Sequence, residues 1–400
     1  MATTTKSWIV STRAGIGEPG FAGDGGLASR ASLNEPKGLA IDREGHLFIA
    51  DSENHVIRRV DRVTGLIATV VGLPSDNAAA SAPSPWMQAS AQDEADPFAE
   101  AGQSTTEKYT QQTDLSGTVR YLVGAAAQKR FGGDGGPATG AQLNFPTAVA
   151  VDGQGHLYVA DTMNHRVRRV DAQTGVITTV AGTGQARFSG DGGPADQAAL
   201  NEPAALVVDD SGQLYIADQS NNRVRVVDLK SGLIRTLAGT GSATYDGDGR
   251  PAAESSLAGP SGLALGAGGL YIADTFNGRI RCVDLATGLI STVAGDGGDY
   301  RYQAPSEPPS PSLSRPSGIA LDRDGHLFLT DSDSHLIRRW DRDTRVVTRV
   351  AGIGAASYSG DGGSALEASL CYPFGIVADR EGVVFVADTF NHRIRILSLE

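Results

Sequence analysis

The chain has 400 residues, 40% of them apolar, with 46 acidic against 34 basic side chains and a formal net charge of −12. That apolar share is ample for a folded core and excludes disorder throughout, while the acidic balance repels phosphate backbones and anionic membranes at long range, which disfavours nucleic acid as a partner. No window approaches the roughly 20 apolar residues of a membrane span, and the opening MATTTKSWIVSTRAG lacks a signal-peptide core, so the chain reads as soluble and cytoplasmic, with no membrane partner.

The first predicted element is a strand at 9–15, IVSTRAG, followed by a loop carrying Gly23-Asp24-Gly25-Gly26. Leu33 opens a Leu-x-x-Pro, and further apolar runs lead to ADSENHVIRRVD at 50–61. That text returns as ADTMNHRVRRVD (160–171), ADQSNNRVRVVD (217–228), ADTFNGRIRCVD (273–284), TDSDSHLIRRWD (330–341) and ADTFNHRIRILS (387–398). The Leu-x-x-Pro leucines stand at 33, 143, 200, 257, 313 and 370, so the spacings are 110, 57, 57, 56 and 57 residues, the mark of a modular array in six copies.

Each copy, as in LNFPTAVAVDGQGHLYVADTMNHRVRRVDAQTGVITTVAG (143–182), divides into four short runs rich in Val, Ile, Leu and Tyr, separated by turn residues. Runs such as AVAV and LYVA are apolar at both alternating positions, which predicts a sheet covered on both faces. Four antiparallel strands repeated about an axis make a β-propeller blade. The last copy stops after its third strand, whereas 9–15 matches the fourth-strand text LISTVAG (289–295). The fold expected is therefore an all-β, six-bladed propeller over 1–400, closed by the N-terminal strand joining the last blade.

The first spacing exceeds one period by roughly 53 residues. Residues 73–116, rich in Ala, Ser, Pro and Gln, hold neither a Leu-x-x-Pro nor an Ala-Asp. They read as an insertion on the loop-rich face, in preference to a degenerate seventh blade.

The Ala-Asp-x-x-Asn-His-Arg-Ile/Val-Arg text, together with the GDGG loops, resembles the NHL-repeat family of propellers. The resemblance implies six blades in most cases and a choice of roles: a protein- or RNA-binding module, an extracellular sensor, or a zinc-dependent lyase. In the lyase members the metal histidines follow the proline that opens the innermost strand. Here those positions are Lys37, Thr147, Ala204, Ser261, Ser317 and Phe374, so that zinc chemistry is disfavoured and neither a metal nor a cofactor is expected. Trp340-Asp341 is the sole Trp-Asp pair, which sets a WD-repeat propeller aside.

Recurrence also decides what the charged cluster in each copy does. Six copies of one aspartate and one arginine seven residues later cannot all serve one substrate, so Asp51/Arg58, Asp161/Arg168, Asp218/Arg225, Asp274/Arg281, Asp331/Arg338 and Asp388/Arg395 are expected to staple the second strand to the third. All seven histidines fall in two repeat-equivalent slots: His46, His156 and His326 in Gly-His turns, and His55, His165, His335 and His392 in the Asn-His slot. The GDGG loops read as tight glycine turns, because one aspartate per blade is too few oxygens for calcium. Cys282 and Cys371 lie outside any ligand spacing and read as small residues in a reducing compartment.

Function is expected where the copies disagree, at the entrance to the innermost strands on the loop-rich face. Those residues are Glu35, Lys37, Phe145, Thr147, Glu202, Ser261, Arg315, Ser317, Tyr372 and Phe374, with Met163, Phe276 and Phe390 at the Asn-His loop tips. Trp86, Met87 and Phe98, apolar in a polar insertion, are candidates for a lid. The set suits a recognition propeller taking a small molecule, peptide or protein partner in an axial pocket. The alternative is a metal-independent lyase, cyclase or hydrolase acting in that pocket; no nucleophile-plus-base pair can be named for it.

Overall fold

Each copy of the repeat folds as one four-stranded antiparallel sheet, to which the two residues Arg250–Pro251 add a short outer fifth strand in the fourth copy alone. The computed structural model describes residues 7–74, 130–266, 269–298 and 311–400, with the backbone of 111–113 and 119–121. Blades I to V span 36–71, 148–181, 203–238, 260–294 and 316–351. Blade VI takes three strands from 373–399 and its outermost from Trp8–Ala14, which pairs antiparallel with Arg393–Leu399 from Trp8 opposite Leu399 to Ala14 opposite Ile394. The N-terminal strand thus closes the ring with six blades. A separate two-stranded ladder joins Gln111–Thr113 to Val119–Tyr121, while Trp86, Met87 and Phe98 lie outside the described residues. Among the described residues the only helices are single 3-10 turns, and none is long and apolar enough to cross a membrane.

The tight turns fold as their sequences dictate. In blade II the Asp152 carboxylate accepts from the backbone N–H groups of Gln154 and His156 at 2.9 and 3.0 Å, an aspartate turn built from the side chain itself. Second strands are buried on both faces, as Leu47–Asp51, Leu157–Asp161 and Leu327–Asp331 show along their whole length. The apolar core divides into clusters that each span one seam between neighbouring blades: Leu206, Leu214 and Ile216 pack with Tyr158 and Val167 across II and III, and Ala14 and Ile394 pack with Leu33, Ile49 and Ile67 across VI and I. Each fully buried Ile or Leu contributes roughly 1.5–3 kcal/mol. A blade alone would expose both faces, so the ring is the unit of stability.

Each of the six Asp–Arg pairs lies within one blade and joins its second strand to its third. Their separations are 3.4 Å for Arg58–Asp51, 3.2 Å for Arg168–Asp161, 3.4 Å for Arg225–Asp218, 3.4 Å for Arg281–Asp274, 3.6 Å for Arg338–Asp331 and 3.0 Å for Arg395–Asp388, with both side chains buried throughout. A register shift between the third and fourth strands falls beside the arginine in every blade. Each aspartate also accepts the backbone N–H that follows the Leu-x-x-Pro leucine or lies one residue further on, as Asn144 to Asp161 at 2.7 Å.

The GDGG loops have a use that the sequence did not disclose. Asp24, Asp134, Asp191 and Asp361 reach the arginines of their own blades at 2.6, 2.6, 2.6 and 2.8 Å, and Asp248 does so at 3.0 Å. The Gly25, Gly135, Gly192 and Gly362 N–H groups donate to the outermost-strand carbonyls of Ile67, Ile177, Ile234 and Val10. These loops cover the exposed blade edges. Their N–H groups are spent on strands, which leaves no phosphate cradle.

Candidate functional site

Four of the six innermost strands carry glycine two residues after the opening proline, and a Cβ on Gly38, Gly262, Gly318 or Gly375 would fall 1.9–2.4 Å from a carbonyl oxygen of the next innermost strand. The remaining two carry Ala148 and Ala205. Small residues therefore let the innermost strands converge, and alternation along the strand turns their neighbours into the axial channel.

The result is an axial cavity of about 270 Å³ built in two layers. Its deeper layer is aliphatic in every blade: Leu39, Val149, Leu206, Leu263, Ile319 and Ile376. The layer above is Lys37, Thr147, Ala204, Ser261, Ser317 and Phe374, with Phe145, Met163 and Glu202 beside it. Apolar floor and mixed polar mouth give a site that packs an apolar body and orients a polar group.

Adjacent blades are latched around this mouth. The histidine of the Asn-His slot, which follows Ser334 in the fifth copy, sits in the left-handed region (φ 59° at His55, 51° at His165, 55° at His335, 51° at His392), and its Nδ1 accepts the N–H of the residue that precedes the next blade's proline. Phe145 donates to His55 at 3.0 Å, Glu202 to His165 at 3.1 Å, Tyr372 to His335 at 3.2 Å and Glu35 to His392 at 3.2 Å. Asn222 Oδ1 takes the same role for Gly259 at 2.9 Å. Glu35, Phe145, Glu202 and Tyr372 are themselves at φ 47°, 52°, 54° and 46°, a costly conformation that the latch offsets. Accepting at Nδ1 requires a neutral ring, and burial agrees, holding His55 and His392 down at about 4 and lowering His165 as well. The Gly-His histidines tie two tight turns, with Nδ1 of His46, His156 and His326 accepting from Arg62, Ala172 and Arg342 at 3.1, 3.0 and 3.2 Å.

Of the residues singled out from the sequence, Lys37, Phe145, Thr147, Met163, Glu202, Ser261, Ser317 and Phe374 line the cavity, whereas Glu35, Arg315, Tyr372, Phe276 and Phe390 stand outside its lining. Trp86 falls outside the described residues. The residues beyond the lining pair above the channel. Arg315 meets Asp333 at 3.4 Å and stacks over Phe276 at 5.3 Å, and Tyr372 contacts Phe390 edge-on at 5.3 Å. Lys37 Nζ lies 3.9 Å from Glu35 and over the rings of Phe374, Phe145 and Phe390 at 4.6, 5.1 and 6.0 Å. Beside them, burial and the charge of Glu35 push Glu53 up to about 7 against the pull of Lys37. Sequence reasoning missed Gln219, which lines the cavity. The signal was there: after the Ala-Asp or Thr-Asp, five copies carry a hydroxyl, four of which (Ser52, Thr162, Ser332 and Thr389) bond the next blade's proline carbonyl at 2.6–2.9 Å, and only one carries Gln219.

Among the described residues no three His, Cys, Asp or Glu side chains converge as a metal-ligand set. Thr147 Oγ1 and Ser261 Oγ are hydrogen-bonded to Thr162 Oγ1 and Thr275 Oγ1 at 2.7 and 2.6 Å, which makes them walls of the site.

The sequence profile of the teneurin NHL domain matches residues 13–91 and 123–189, and that of the NHL repeat matches 200–227, 313–340 and 370–397. The chain belongs to the NHL-repeat β-propeller family. It is 31% identical over 290 residues to Protein SUPPRESSOR OF QUENCHING 1, chloroplastic, of Arabidopsis thaliana, covering 69% of this chain and 27% of that one. It is 28% identical over 315 residues to NHL repeat-containing protein 2 of Bos taurus, covering 71% of this chain and 43% of that one. The NHL chain thus spans less than half the length of these relatives. Similar solved structures include an auxiliary nutrient binding protein from Bacteroides thetaiotaomicron (16% identity, TM-score 0.61, 99% of this chain and 77% of that one). A streptogramin B lyase is also similar (14% identity, TM-score 0.51, 98% of each chain). At such identities these structures share the fold with this NHL propeller and nothing further.

Proposed function

We propose that this NHL propeller is a recognition module that binds a small ligand in the axial cavity of its loop-rich face. The supporting observation is the cavity mouth: six repeat-equivalent positions that a purely structural array would keep alike hold Lys, Thr, Ala, Ser, Ser and Phe, above a floor that is aliphatic in all six blades. Residues 73–116 belong to this reading as an insertion in a single propeller domain, and the two unpaired thiols, Cys282 and Cys371, suit a reducing, cytoplasmic compartment. Ala204 lines the cavity with the smallest side chain of its layer. A metabolite mixture screened by thermal shift against the wild-type chain and Ala204→Trp tests the proposal. A hit lost in a folded Ala204→Trp variant supports it, and hits indifferent to that substitution overturn it.

A second reading, an enzyme acting in the same cavity, is favoured by the acid pair at its rim: a carboxyl pushed up to about 7, as at Glu53, beside a second carboxylate suits general acid–base work at neutral pH. Turnover of a bound metabolite that Glu53→Gln abolishes without loss of binding would establish it.

A further inference from the structure

Among the described residues, the acidic groups around the cavity mouth outnumber the basic ones. Lys37 is the single cationic side chain in the cavity lining. Facing it are Glu35, buried and 3.9 Å away, and Glu53, whose raised pKa comes from burial and the charge of Glu35, while Glu202 lines the wall on the third blade. The one other cation singled out there, Arg315, is paired with Asp333 at 3.4 Å. Among the described residues, Lys37 thus meets one carboxylate at 3.9 Å and a second acid, Glu53, close enough to feel its charge. That ammonium is seated over three aromatic rings from three different parts of the chain, Phe145, Phe374 and Phe390, at 4.6–6.0 Å. Ring faces with carboxylates behind them are the chemistry by which proteins hold organic ammonium ions.

We infer that the axial site is built for a ligand bearing an organic ammonium on an apolar body, and that in the free protein the Lys37 ammonium occupies the place of the ligand's own. The Lys37 stem is flexible, so its head can leave the rings for solvent while the incoming ammonium takes the faces of Phe145 and Phe374 and the charge of Glu35 and Glu53. The apolar body then packs down on the aliphatic layer, against Leu39 and Ile376. Lys37 acts as an internal competitor that sets the affinity. A carboxylate ligand would instead use Lys37 as its partner and would have to approach Glu35 and Glu53.

This inference rests on the axial-binding reading, and the test separates the two. Matched probes, 2-phenylethylammonium, 2-phenylethanol and phenylacetate, are titrated calorimetrically into the full-length chain and into Lys37→Met, Glu35→Gln and Glu53→Gln, each checked for its melting temperature. The expected result is a preference for the ammonium probe, tightened about tenfold in Lys37→Met and weakened about tenfold in either glutamine variant. Should Lys37→Met fail to fold, Glu53→Gln carries the test through the expected tenfold weakening of the ammonium probe, and unchanged affinity there overturns the inference. A preference for phenylacetate that Lys37→Met abolishes would overturn the inference and leave axial binding standing. Binding of none of the probes overturns the inference; if the metabolite screen also yields no hit sensitive to Ala204→Trp, axial binding falls with it.

Discussion

Arg225 holds Asp191 at 2.6 Å and Asp218 at 3.4 Å, one carboxylate from the loop that enters the blade and one from its second strand. Asp218 is buried and Asp191 half exposed, so the two bonds differ in worth although one guanidinium makes both. Replacing Asp218 with alanine leaves Arg225 only its half-exposed partner Asp191 and deprives the Asn201 N–H and the Asn221 amide of their buried acceptor, and is expected to cost about 3–5 kcal/mol. Asp191→Ala leaves Arg225 its inner partner and is expected to cost about 1–2 kcal/mol after solvent screening. Urea denaturation of the two variants checks the order, and an Asp218→Ala chain as stable as wild type would remove the staple from the account. Neither change should alter binding at the axis.

The histidine latch predicts a pH dependence with a definite sign. His392 is buried with its Nδ1 accepting from Glu35, and its folded value, about 4, lies below the ordinary 6.5. The unfolded chain therefore binds the extra proton, and the latch's contribution is complete above pH 6.5 and lost as pH falls through 4. A depression of that size corresponds to about 3 kcal/mol. The buried aspartates act in the opposite sense: burial pushes Asp51, Asp161, Asp218 and Asp274 up to about 6, so their cost is relieved on acidification. A comparison between variants isolates the histidines. Asn222 already performs the same task without titrating, so the His55→Asn, His165→Asn, His392→Asn triple variant should lose less stability than wild type between pH 6.5 and 4.5. Identical pH profiles would refute the latch.

The blade architecture was legible because periodicity is written into the chain: strands, turns and the closing match between 9–15 and 289–295 all follow from copies compared with one another. The mouth positions were legible for the complementary reason, since Lys37 and Phe374 are where the copies diverge. What could not be read were contacts between copies. His165 meets the N–H of Glu202, and Lys37 meets the ring of Phe374, a residue brought beside it only by ring closure. The GDGG loops look like ligand loops locally, and only the neighbouring outer strand shows where their N–H groups go. Glu53 stands at a loop tip where the copies differ, but its raised pKa depends on burial and on the charge of Glu35, which spacing does not encode.

Gly375 is the tightest point of the axis: a Cβ there would lie 1.9 Å from the Lys37 carbonyl oxygen, and the obstacle is backbone, which cannot swing aside. Gly375→Ala is expected to push blades VI and I apart at their inner edges and to cost about 1–3 kcal/mol by overpacking. The same displacement would shift Lys37 relative to Phe374, so probe affinity at the axis should change together with the melting temperature. By contrast Gly25→Ala, with nothing within 4 Å of the added atom, tests backbone strain alone at φ 82° and should leave the axis untouched. Equal effects of the two substitutions on the axial site would contradict the packing argument.

Closure makes the strongest demand on the chain. Val10 and Ala14 of the first strand are fully buried, Val10 among blade V and VI residues such as Ile337 and Val386, and Ala14 among those of blades VI and I. Its backbone also holds the loop at Gly362 and Gly363, through bonds between Val10 and both glycines. Removing residues 1–15 therefore bares the Arg393–Leu399 edge, frees that loop and opens two seams at once. An unprotected edge strand pairs with other chains. The expected outcome is loss of the cooperative unfolding transition followed by calorimetry, with the truncated chain eluting as oligomers or aggregate on size exclusion. Val10→Asp, which places an unpaired carboxylate in the same seam, should lower the melting temperature without removing the strand. A monomeric truncation that melts where the full chain does would show that the ring does not need the two seams that the first strand closes.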